Sequence, residues 1–310
     1  MNIFLAEPRG FCAGVIRAID TLEELLHKFG APIYVKHEIV HNKYVVEDLR
    51  KKGAIFVEEL DEIPEGARAV FSAHGVSDKV VADAKKRNLL VTDATCPLVS
   101  KVHRKAKEYE KNDYEIILIG HKGHPEVIGT SGRVQKPVIL ISNKIEAQKL
   151  EIADSSKIAY VTQTTLSVDD TKEIVEILEN KFPQMQRGLA TKDICYATQN
   201  RQDAVKELVK IVDLLLIIGA KNSSNSNRLR DLGEESNLPS YLINDANDIK
   251  NKWLEGVDNI GISAGASAPE ILVQEVIEKL KILSPTKIII KTLEGKKENV
   301  HLVLPKEVRN

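Results

Sequence analysis

The sequence has too few cysteines for a disulfide framework. There are three, Cys12, Cys96 and Cys195, spaced about a hundred residues apart, and an odd, dispersed set gives no pairing. Long apolar runs are also absent, since none approaches the ~18 residues that a membrane-spanning helix requires. The first residues lack the basic and apolar segments of a signal peptide, so we expect a cytoplasmic protein.

An excess of charge of either sign is missing too. The 44 basic and 45 acidic residues give a formal net charge of -1, which argues against a nucleic-acid-binding protein because such proteins normally present a basic face. This balance still permits a local pocket for a small anion. A chain of 310 residues is long enough for two or three hydrophobic cores.

Short runs rich in valine, isoleucine and leucine alternate with amphipathic helical patterns along the chain. This alternation predicts an α/β fold with parallel sheets and right-handed crossovers. Each cysteine directly precedes a helical pattern, and the shared layout suggests three similar units with one thiol each. The predicted strands lie at residues 3–5, 33–35, 69–71, 115–119, 138–141, 157–161, 213–218, 240–243 and 259–262, with further β-structure at 287–293 and 299–303.

The thiols have a chemical reason to lie at helix starts. The positive end of the helix dipole favours the thiolate, which is the form that ligates metals. Three such sulfurs could hold zinc with water as the fourth ligand, or three irons of a [4Fe–4S] cluster. Structural zinc sites normally use cysteines at short local spacings, so dispersed thiols favour a cluster with one open iron. Three inert buried thiols remain the alternative.

Histidines and polar loops follow several predicted strands. His41, His74 and His124 lie in such positions, and ligands bind at the carboxyl ends of strands in α/β sheets. Ser-, Thr-, Asn- and Gly-rich loops also offer hydroxyl and backbone N–H groups to phosphate oxygens. These loops span residues 162–165, 221–227 and 263–267.

Several of these residues also have purely structural interpretations. Ser267 and Glu270 form a capping-box pattern, which alone would account for Ser267, and Ser167 is assigned only to a helix cap. Glu126 is either a surface residue favoured by a helix dipole or a proton donor whose pKa is raised in a dry site. The other histidines are assigned to structural or exposed positions by default: His27, His37, His103 and His301, with His121 left ambiguous.

Seven motifs together resemble the LytB family, the hydroxymethylbutenyl diphosphate reductases that catalyse the last step of the non-mevalonate isoprenoid pathway. None of the motifs departs from the family pattern, and they extend over most of the chain. They are PRGFCAG at residues 8–14, SAHGV at 72–76, DATCP at 93–97, GHKGHPE at 120–126, TQTTLS at 162–167, KNSSNSN at 221–227 and SAGASAP at 263–269.

The resemblance implies three similar parallel-sheet α/β units, arranged as a pseudo-threefold trefoil around a central iron–sulfur cluster. The units would span residues 14–96, 97–192 and 193–281, with the N-terminal strand, residues 1–13, joined to the third and a β-containing extension at 282–310. Cys12, Cys96 and Cys195 would ligate a [4Fe–4S] cluster whose fourth iron is open to substrate. Glu126 would donate protons, and the substrate would be bound by His41, His74, His124, Thr164, Ser223, Ser224, Asn225 and Ser267.

The reaction implied by the resemblance removes the allylic hydroxyl of (E)-4-hydroxy-3-methylbut-2-enyl diphosphate. Two electrons and two protons would release water and give isopentenyl and dimethylallyl diphosphate. Thr164 would order the substrate hydroxyl and a nearby water, with the adjacent Thr165 as the alternative. Electrons would arrive singly from flavodoxin or ferredoxin, and the family suggests a monomer.

Two other classes of function remain open at the level of sequence. One is a zinc hydrolase that uses the histidines. The other is a non-catalytic anion-binding protein, which would explain the polar loops but leave the three cysteines without a role. A radical enzyme of the S-adenosylmethionine type is disfavoured, because it would need closely clustered cysteines.

Overall fold

The computed structural model describes residues 1–186, 193–284 and 287–309, which form an α/β fold with three parallel sheets. The first part of the chain contains β1 (Asn2–Leu5), α1 (Ala13–Phe29), β2 (Ile33–Lys36), α2 (Lys43–Lys51), β3 (Ala54–Val57), β4 (Arg68–Phe71), α3 (Asp78–Lys86), β5 (Leu90–Asp93), α4 (Pro97–Lys111), β6 (Glu115–Ile119), α5 (Pro125–Ser131) and β7 (Ile139–Ile141). The second part contains α6 (Lys144–Lys149), β8 (Ile158–Thr162), α7 (Val168–Lys181), α8 (Tyr196–Leu208), β9 (Leu214–Ile218), α9 (Ser224–Glu235), β10 (Ser240–Ile243), β11 (Asn259–Ala264), α10 (Glu270–Leu283) and β12 (Ile289–Thr292).

The three sheets confirm the predicted fold class. Their strand orders are β10-β9-β11-β1-β12, β3-β2-β4-β5 and β7-β6-β8, and neighbouring strands are parallel throughout. β1 lies between β11 and β12, so the N-terminal strand belongs to the sheet formed by the last third of the chain. No helix among the described residues is long and apolar enough to cross a membrane.

The described chain divides into two compact units. The first contains Met1–Val15, His41–Glu47 and Tyr196–His301, and it holds the five-stranded sheet. The second contains Ile16–Val40, Asp48–Cys195 and Leu302–Asn310, and it holds the other two sheets. The predicted boundary at residue 192 lies outside the described residues, and the predicted bounds of the three sheet-containing units remain a prediction.

The central strands are apolar on both faces because helices cover both sides of their sheets. In β9 all five residues are buried: Leu214, Leu216 and Ile218 pack with α10, whereas Leu215 and Ile217 pack with α8 and α9. β6 alternates in the same way between two clusters. Truncating one of these side chains to alanine typically costs about 2–5 kcal/mol of folding free energy. The well-packed sheets therefore provide stable attachment points for the loops at their ends.

Sequence reasoning missed β3 and β5, and it was wrong about residues 299–303. β3 is apolar throughout but has only four residues, and β5 is equally short and ends in two polar residues, Thr92 and Asp93. Residues 299–303 form no strand. At the end of this segment, the Val303 carbonyl accepts a hydrogen bond from the side chain of Arg17, Nε, at 2.8 Å.

Candidate active site

Each of the three cysteines lies immediately before the first residue of a helix, as the sequence predicts. Cys12 precedes α1, Cys96 is the N-cap of α4, and Cys195 precedes α8. All three are free thiols of intermediate burial. A partly exposed sulfur at the positive end of a helix suits a thiolate ligand.

A main-chain hydrogen bond ties each cysteine to a second loop. These bonds were not predicted, because they join segments that are distant in the sequence. They are Cys12 N–H to Ala266 O at 3.2 Å, Cys96 N–H to Ala73 O at 3.0 Å, and Cys195 N–H to Thr164 O at 3.0 Å. The acceptor loops follow β11, β4 and β8, one strand from each sheet. They also carry three of the predicted substrate-binding residues: Ser267, His74 and Thr164.

Glu126 is a buried carboxyl group and not the surface glutamate of the alternative interpretation. It lies in the first turn of α5 and is 5% exposed. Its oxygens accept hydrogen bonds from Thr164 N at 2.9 Å and from Thr164 Oγ1 at 3.0 Å. Burial raises the pKa of Glu126 to about 7, although the two hydrogen bonds act in the opposite direction. Both protonation states are therefore accessible near neutral pH.

The contacts of the two adjacent threonines differ. Thr165 Oγ1 accepts a hydrogen bond from Gln163 Nε2 at 2.8 Å, whereas Thr164 contacts Glu126 directly. This arrangement favours Thr164 as the residue that works with the carboxyl group. Gln163 was not singled out from the sequence, yet its Oε1 also accepts the His121 N–H at 3.0 Å, which holds the loop that precedes α5.

His124 is the N-cap of α5, and its Nδ1 accepts the backbone N–H of Glu126 at 3.1 Å. A neutral imidazole whose Nδ1 accepts must carry its proton on Nε2, so this ring presents an N–H donor. His74 lies beside it, with ring centroids 6.2 Å apart and the planes at 87°. The Nδ1 of His74 is 3.2 Å from Ser72 Oγ, a hydroxyl that can donate to it.

His37 extends this row of rings, although sequence reasoning gave it a default structural role. Its ring centroid is 6.0 Å from that of His74, and its Nδ1 is 3.0 Å from a carboxylate oxygen of Glu58. Residues 37–41 read HEIVH, which matches a zinc-hydrolase pattern that sequence reasoning overlooked. That pattern needs a helix, whereas these residues form none and His37 has a φ of 64°.

The loop that carries His74 turns at Gly75. This glycine has a φ of +77°, and a Cβ there would lie 2.5 Å from His103 Cε1. His103 is buried, and burial lowers its pKa to about 4, with Arg133 acting in the same direction. His103 is therefore a neutral packing partner of the loop, consistent with its predicted structural role.

In the first unit, Ser267 does not cap a helix. α10 begins at Glu270 with Pro269 as its N-cap, so the capping-box interpretation is wrong. The Ser267 hydroxyl donates to the carbonyl of His41 at 2.9 Å instead. The Nδ1 of His41 lies 3.4 Å from Asn222 Nδ2, an amide donor, which again leaves the proton of the neutral ring on Nε2. Ser167, by contrast, caps α7 as predicted.

The N-terminus of α9 brings three predicted substrate-binding residues together. Ser223 is the N-cap, and Ser224 and Asn225 occupy the first turn, where backbone N–H groups point out of the helix and the helix dipole favours an anion. Asn225 is 3% exposed, and both polar atoms of its side chain are buried without a hydrogen-bond partner in the described structure. A buried amide of this kind normally has partners, so the Asn225 side chain is available to a polar ligand or a water molecule.

The parallel sheets, the free thiols at helix starts and the buried carboxyl group are together consistent with an α/β oxidoreductase. The family model described as LytB protein matches residues 3–281, and the chain belongs to this family.

Relatives and solved structures agree with this assignment. The chain is 55% identical over 306 residues to 4-hydroxy-3-methylbut-2-enyl diphosphate reductase 1 of Rhodopseudomonas palustris, covering 99% of each chain. It matches the structure of E-1-hydroxy-2-methyl-but-2-enyl-4-diphosphate reductase from Plasmodium falciparum with a TM-score of 0.94 and 42% identity, covering 99% of this chain and 96% of that one. A second structure, of (E)-4-hydroxy-3-methyl-but-2-enyl diphosphate reductase, matches with a TM-score of 0.63 and 34% identity, covering 91% and 99%.

Proposed function

We propose that this protein is a 4-hydroxy-3-methylbut-2-enyl diphosphate reductase that converts its substrate to isopentenyl and dimethylallyl diphosphate. One observation carries the proposal beyond family membership. Glu126, a buried carboxyl with a pKa raised to about 7, is bonded to Thr164, and the Thr164 carbonyl accepts the N–H of Cys195. The proton source Glu126 is thus linked through Thr164 to the segment that carries the Cys195 thiol.

The three free thiols fit the iron–sulfur cluster of this family. The N–H of each is bonded to a loop that follows a strand of a different sheet, and together they are all the cysteines of the chain. All-thiolate donors suit iron–sulfur clusters, and three of them leave one iron without a protein ligand. We infer that Cys12, Cys96 and Cys195 hold a [4Fe–4S] cluster. When bound, this group supplies the electrons and a Lewis-acidic iron that the reaction needs.

The diphosphate is held by neutral donors in this proposal. Ser223, Ser224 and Asn225 present the N-terminus of α9, and the Asn225 amide gains the partner that it lacks in the described structure. His41, His74 and His124 add ring N–H donors, and Ser267 supports His41 through the main-chain carbonyl. This set explains how a protein of net charge -1 can bind a strongly anionic substrate.

Glu126 holds the proton for the departing hydroxyl. Its carboxyl group is protonated in a substantial fraction of molecules near pH 7, because burial disfavours the anion. Thr164 orients the carboxyl with two hydrogen bonds and orders the substrate hydroxyl and a water beside it. Flavodoxin or ferredoxin would supply electrons one at a time to a monomeric, cytoplasmic enzyme.

Anaerobic purification tests the proposal directly. The protein should be brown and contain iron and sulfide, and with a reduced viologen dye it should convert the allylic diphosphate to the two products. A colourless protein with zinc would support a hydrolase, and one without metal would support a non-catalytic anion-binding protein.

Serine substitutions test the ligand set. Replacing Cys12, Cys96 or Cys195 one at a time should lower iron and sulfide content and make the cluster labile, because a serine oxygen is a poor substitute for thiolate at iron. A full, stable cluster in Cys195→Ser would contradict the three-ligand assignment.

A further inference from the structure

Arg201 is a completely buried charged residue in the helix that follows Cys195. It lies in the second turn of α8, and its exposed fraction is 0%. A guanidinium is almost never fully buried unless it is paired, because removing it from water is costly. Its partners therefore show what the buried charge does.

The guanidinium binds the main chain immediately before Cys12. Arg201 Nε and Nη2 both donate to the Gly10 carbonyl, at 3.0 and 2.7 Å, and Nη2 also lies 3.4 Å from the Phe11 carbonyl. Gly10 has a φ of +67°, and a Cβ there would lie 3.1 Å from the Ala268 carbonyl. The loop is therefore closely packed on one side and held by Arg201 on the other.

The counter-charge comes from the C-terminal extension. Glu298 is 14% exposed, and its two carboxylate oxygens lie 3.1 and 3.3 Å from Arg201 Nη1. Asn200 Nδ2 donates to the same carboxylate at 3.0 Å, which fixes its orientation. Arg201 Nη1 further donates to the carbonyl of Ala197 at 2.9 Å, in its own helix.

A second cysteine loop is held in a similar manner. Arg17 Nη1 donates to the Thr95 carbonyl, directly before Cys96, at 3.1 Å, and its Nε donates to Val303 in the C-terminal extension at 2.8 Å. Two cysteines are thus preceded by a carbonyl that binds an arginine, and both arginines also bind the C-terminal extension. This repetition favours a role in placing the cysteines over a role in packing alone.

We propose that Arg201 and Glu298 are positioning residues that hold Cys12 in place as a cluster ligand, an inference that rests on the proposed cluster site. Arg201 fixes the direction of the two carbonyls before Cys12, and Glu298 neutralises and orients Arg201. Cys12 itself is fixed from the other side by its N–H bond to Ala266. The C-terminal extension thereby contributes to the metal site through a carboxylate that touches no thiol.

Glu298→Gln tests this role, because it removes the negative charge while keeping the size of the side chain. The matched control is Asp203→Asn, which breaks the exposed ion pair between Lys296 and Asp203, at 3.0 Å, joining the same two segments. In the anaerobic holoprotein, a chelator should remove iron about tenfold faster from Glu298→Gln than from the wild-type protein. Losses of this size are usual when a residue that supports a metal ligand is replaced. The control should lose iron at the wild-type rate.

Thiol alkylation of the folded apoprotein, followed by mass spectrometry, distinguishes positioning from general destabilisation. In Glu298→Gln, Cys12 should react several-fold faster, while Cys96 and Cys195 keep their wild-type rates. Glu298→Asp, which retains the charge, should restore part of the protection. If all three cysteines react faster together, the pair acts on overall stability and the inference is wrong.

The cluster measurement also separates this inference from the proposed function. A wild-type protein that binds no iron would overturn the cluster assignment itself. Suppose that the wild-type protein holds a cluster, and that in Glu298→Gln both iron loss and Cys12 alkylation proceed at wild-type rates. That result would overturn only the role of Arg201 and Glu298. Should Glu298→Gln fail to fold, Arg201→Lys provides the same comparison, because lysine keeps the charge but cannot reproduce the guanidinium's several directed hydrogen bonds.

Discussion

Thr164 donates both its backbone N–H and its hydroxyl to the carboxylate of Glu126, at 2.9 and 3.0 Å. The two bonds hold the carboxyl group in one orientation while burial raises its pKa to about 7. Thr164 thus fixes the orientation of the carboxyl group and lowers its pKa, whereas burial raises the pKa and outweighs the two hydrogen bonds. The carboxyl group and the threonine hydroxyl can therefore be tested by separate substitutions.

Glu126→Gln should retain the cluster and substrate binding but lose turnover. Glutamine keeps the shape and an acceptor oxygen for Thr164, whereas it cannot donate an acidic proton. We expect kcat to fall about 10²–10⁴-fold, the usual contribution of general acid–base catalysis. Steady-state kinetics and iron analysis measure the two effects, with the exposed Glu115→Gln as a control. Near-normal kcat in Glu126→Gln would remove this residue from the proton-donor role.

Thr164→Val should move the alkaline limb of the pH–kcat profile to higher pH. In the wild-type enzyme, activity should fall as pH rises through about 7, because Glu126 loses its proton there. The Thr164 hydroxyl stabilises the carboxylate and lowers the pKa, so its removal should raise the pKa further. Thr164→Ser keeps the hydroxyl and should keep the limb in place. A limb that moves to lower pH in the valine variant would contradict this electrostatic account.

Asn225→Ala should weaken substrate binding without destabilising the ligand-free protein. Both polar atoms of the Asn225 side chain are buried and have no hydrogen-bond partner among the described residues, so their removal relieves a desolvation cost. The KM should rise about tenfold or more, while the unfolding temperature stays equal or increases. Asn227 offers the contrast, since its Nδ2 donates to Lys221 O at 2.7 Å and Ser223 O at 2.9 Å, and Asn227→Ala should lower that temperature. Equal destabilisation by both changes would argue against a ligand role for Asn225.

His103 should make the protein less stable in acid. Its pKa of about 4 in the folded state lies below the ordinary value of 6.5, so the unfolded chain binds a proton first as the pH falls. Stability is therefore lost between pH 6.5 and pH 4, reaching ~3 kcal/mol at pH 4. His103→Gln should flatten this part of the pH dependence in denaturant unfolding of the apoprotein, whatever its stability at pH 7. An unchanged slope would show that His103 does not titrate as described.

Elements with a strong local pattern were predictable from sequence. The uninterrupted apolar run of β9 identified a strand buried on both faces, and the motif at each cysteine identified a helix start. β5 escaped notice because it is only four residues long and its second half, Thr92 and Asp93, is polar. Local pattern also misled at Ser267, where the serine bonds to the distant His41 carbonyl instead of capping a helix.

Contacts between distant segments could not be predicted in the same way. An arginine in an amphipathic helix is normally assigned to the solvent-facing side, so nothing in the sequence near Arg201 indicates that it is buried against Gly10 and Glu298. The hydrogen bonds from the cysteine N–H groups are made by the main chain and leave no trace in residue type. The row formed by His37, His74 and His124 likewise depends on how loops from different strands meet.

The hydrogen bonds from the three cysteine amides have a thermodynamic consequence. Each one ends on a loop that also bears a residue proposed to bind the anion or handle a proton, either at the acceptor itself, as in Thr164, or one residue later, as in His74 and Ser267. A ligand that orders one of these loops therefore also orders the thiol attached to it. Because linkage is reciprocal, any factor by which the anion raises affinity for the metal is also the factor by which the metal raises affinity for the anion. The protein would then assemble its two binding functions cooperatively.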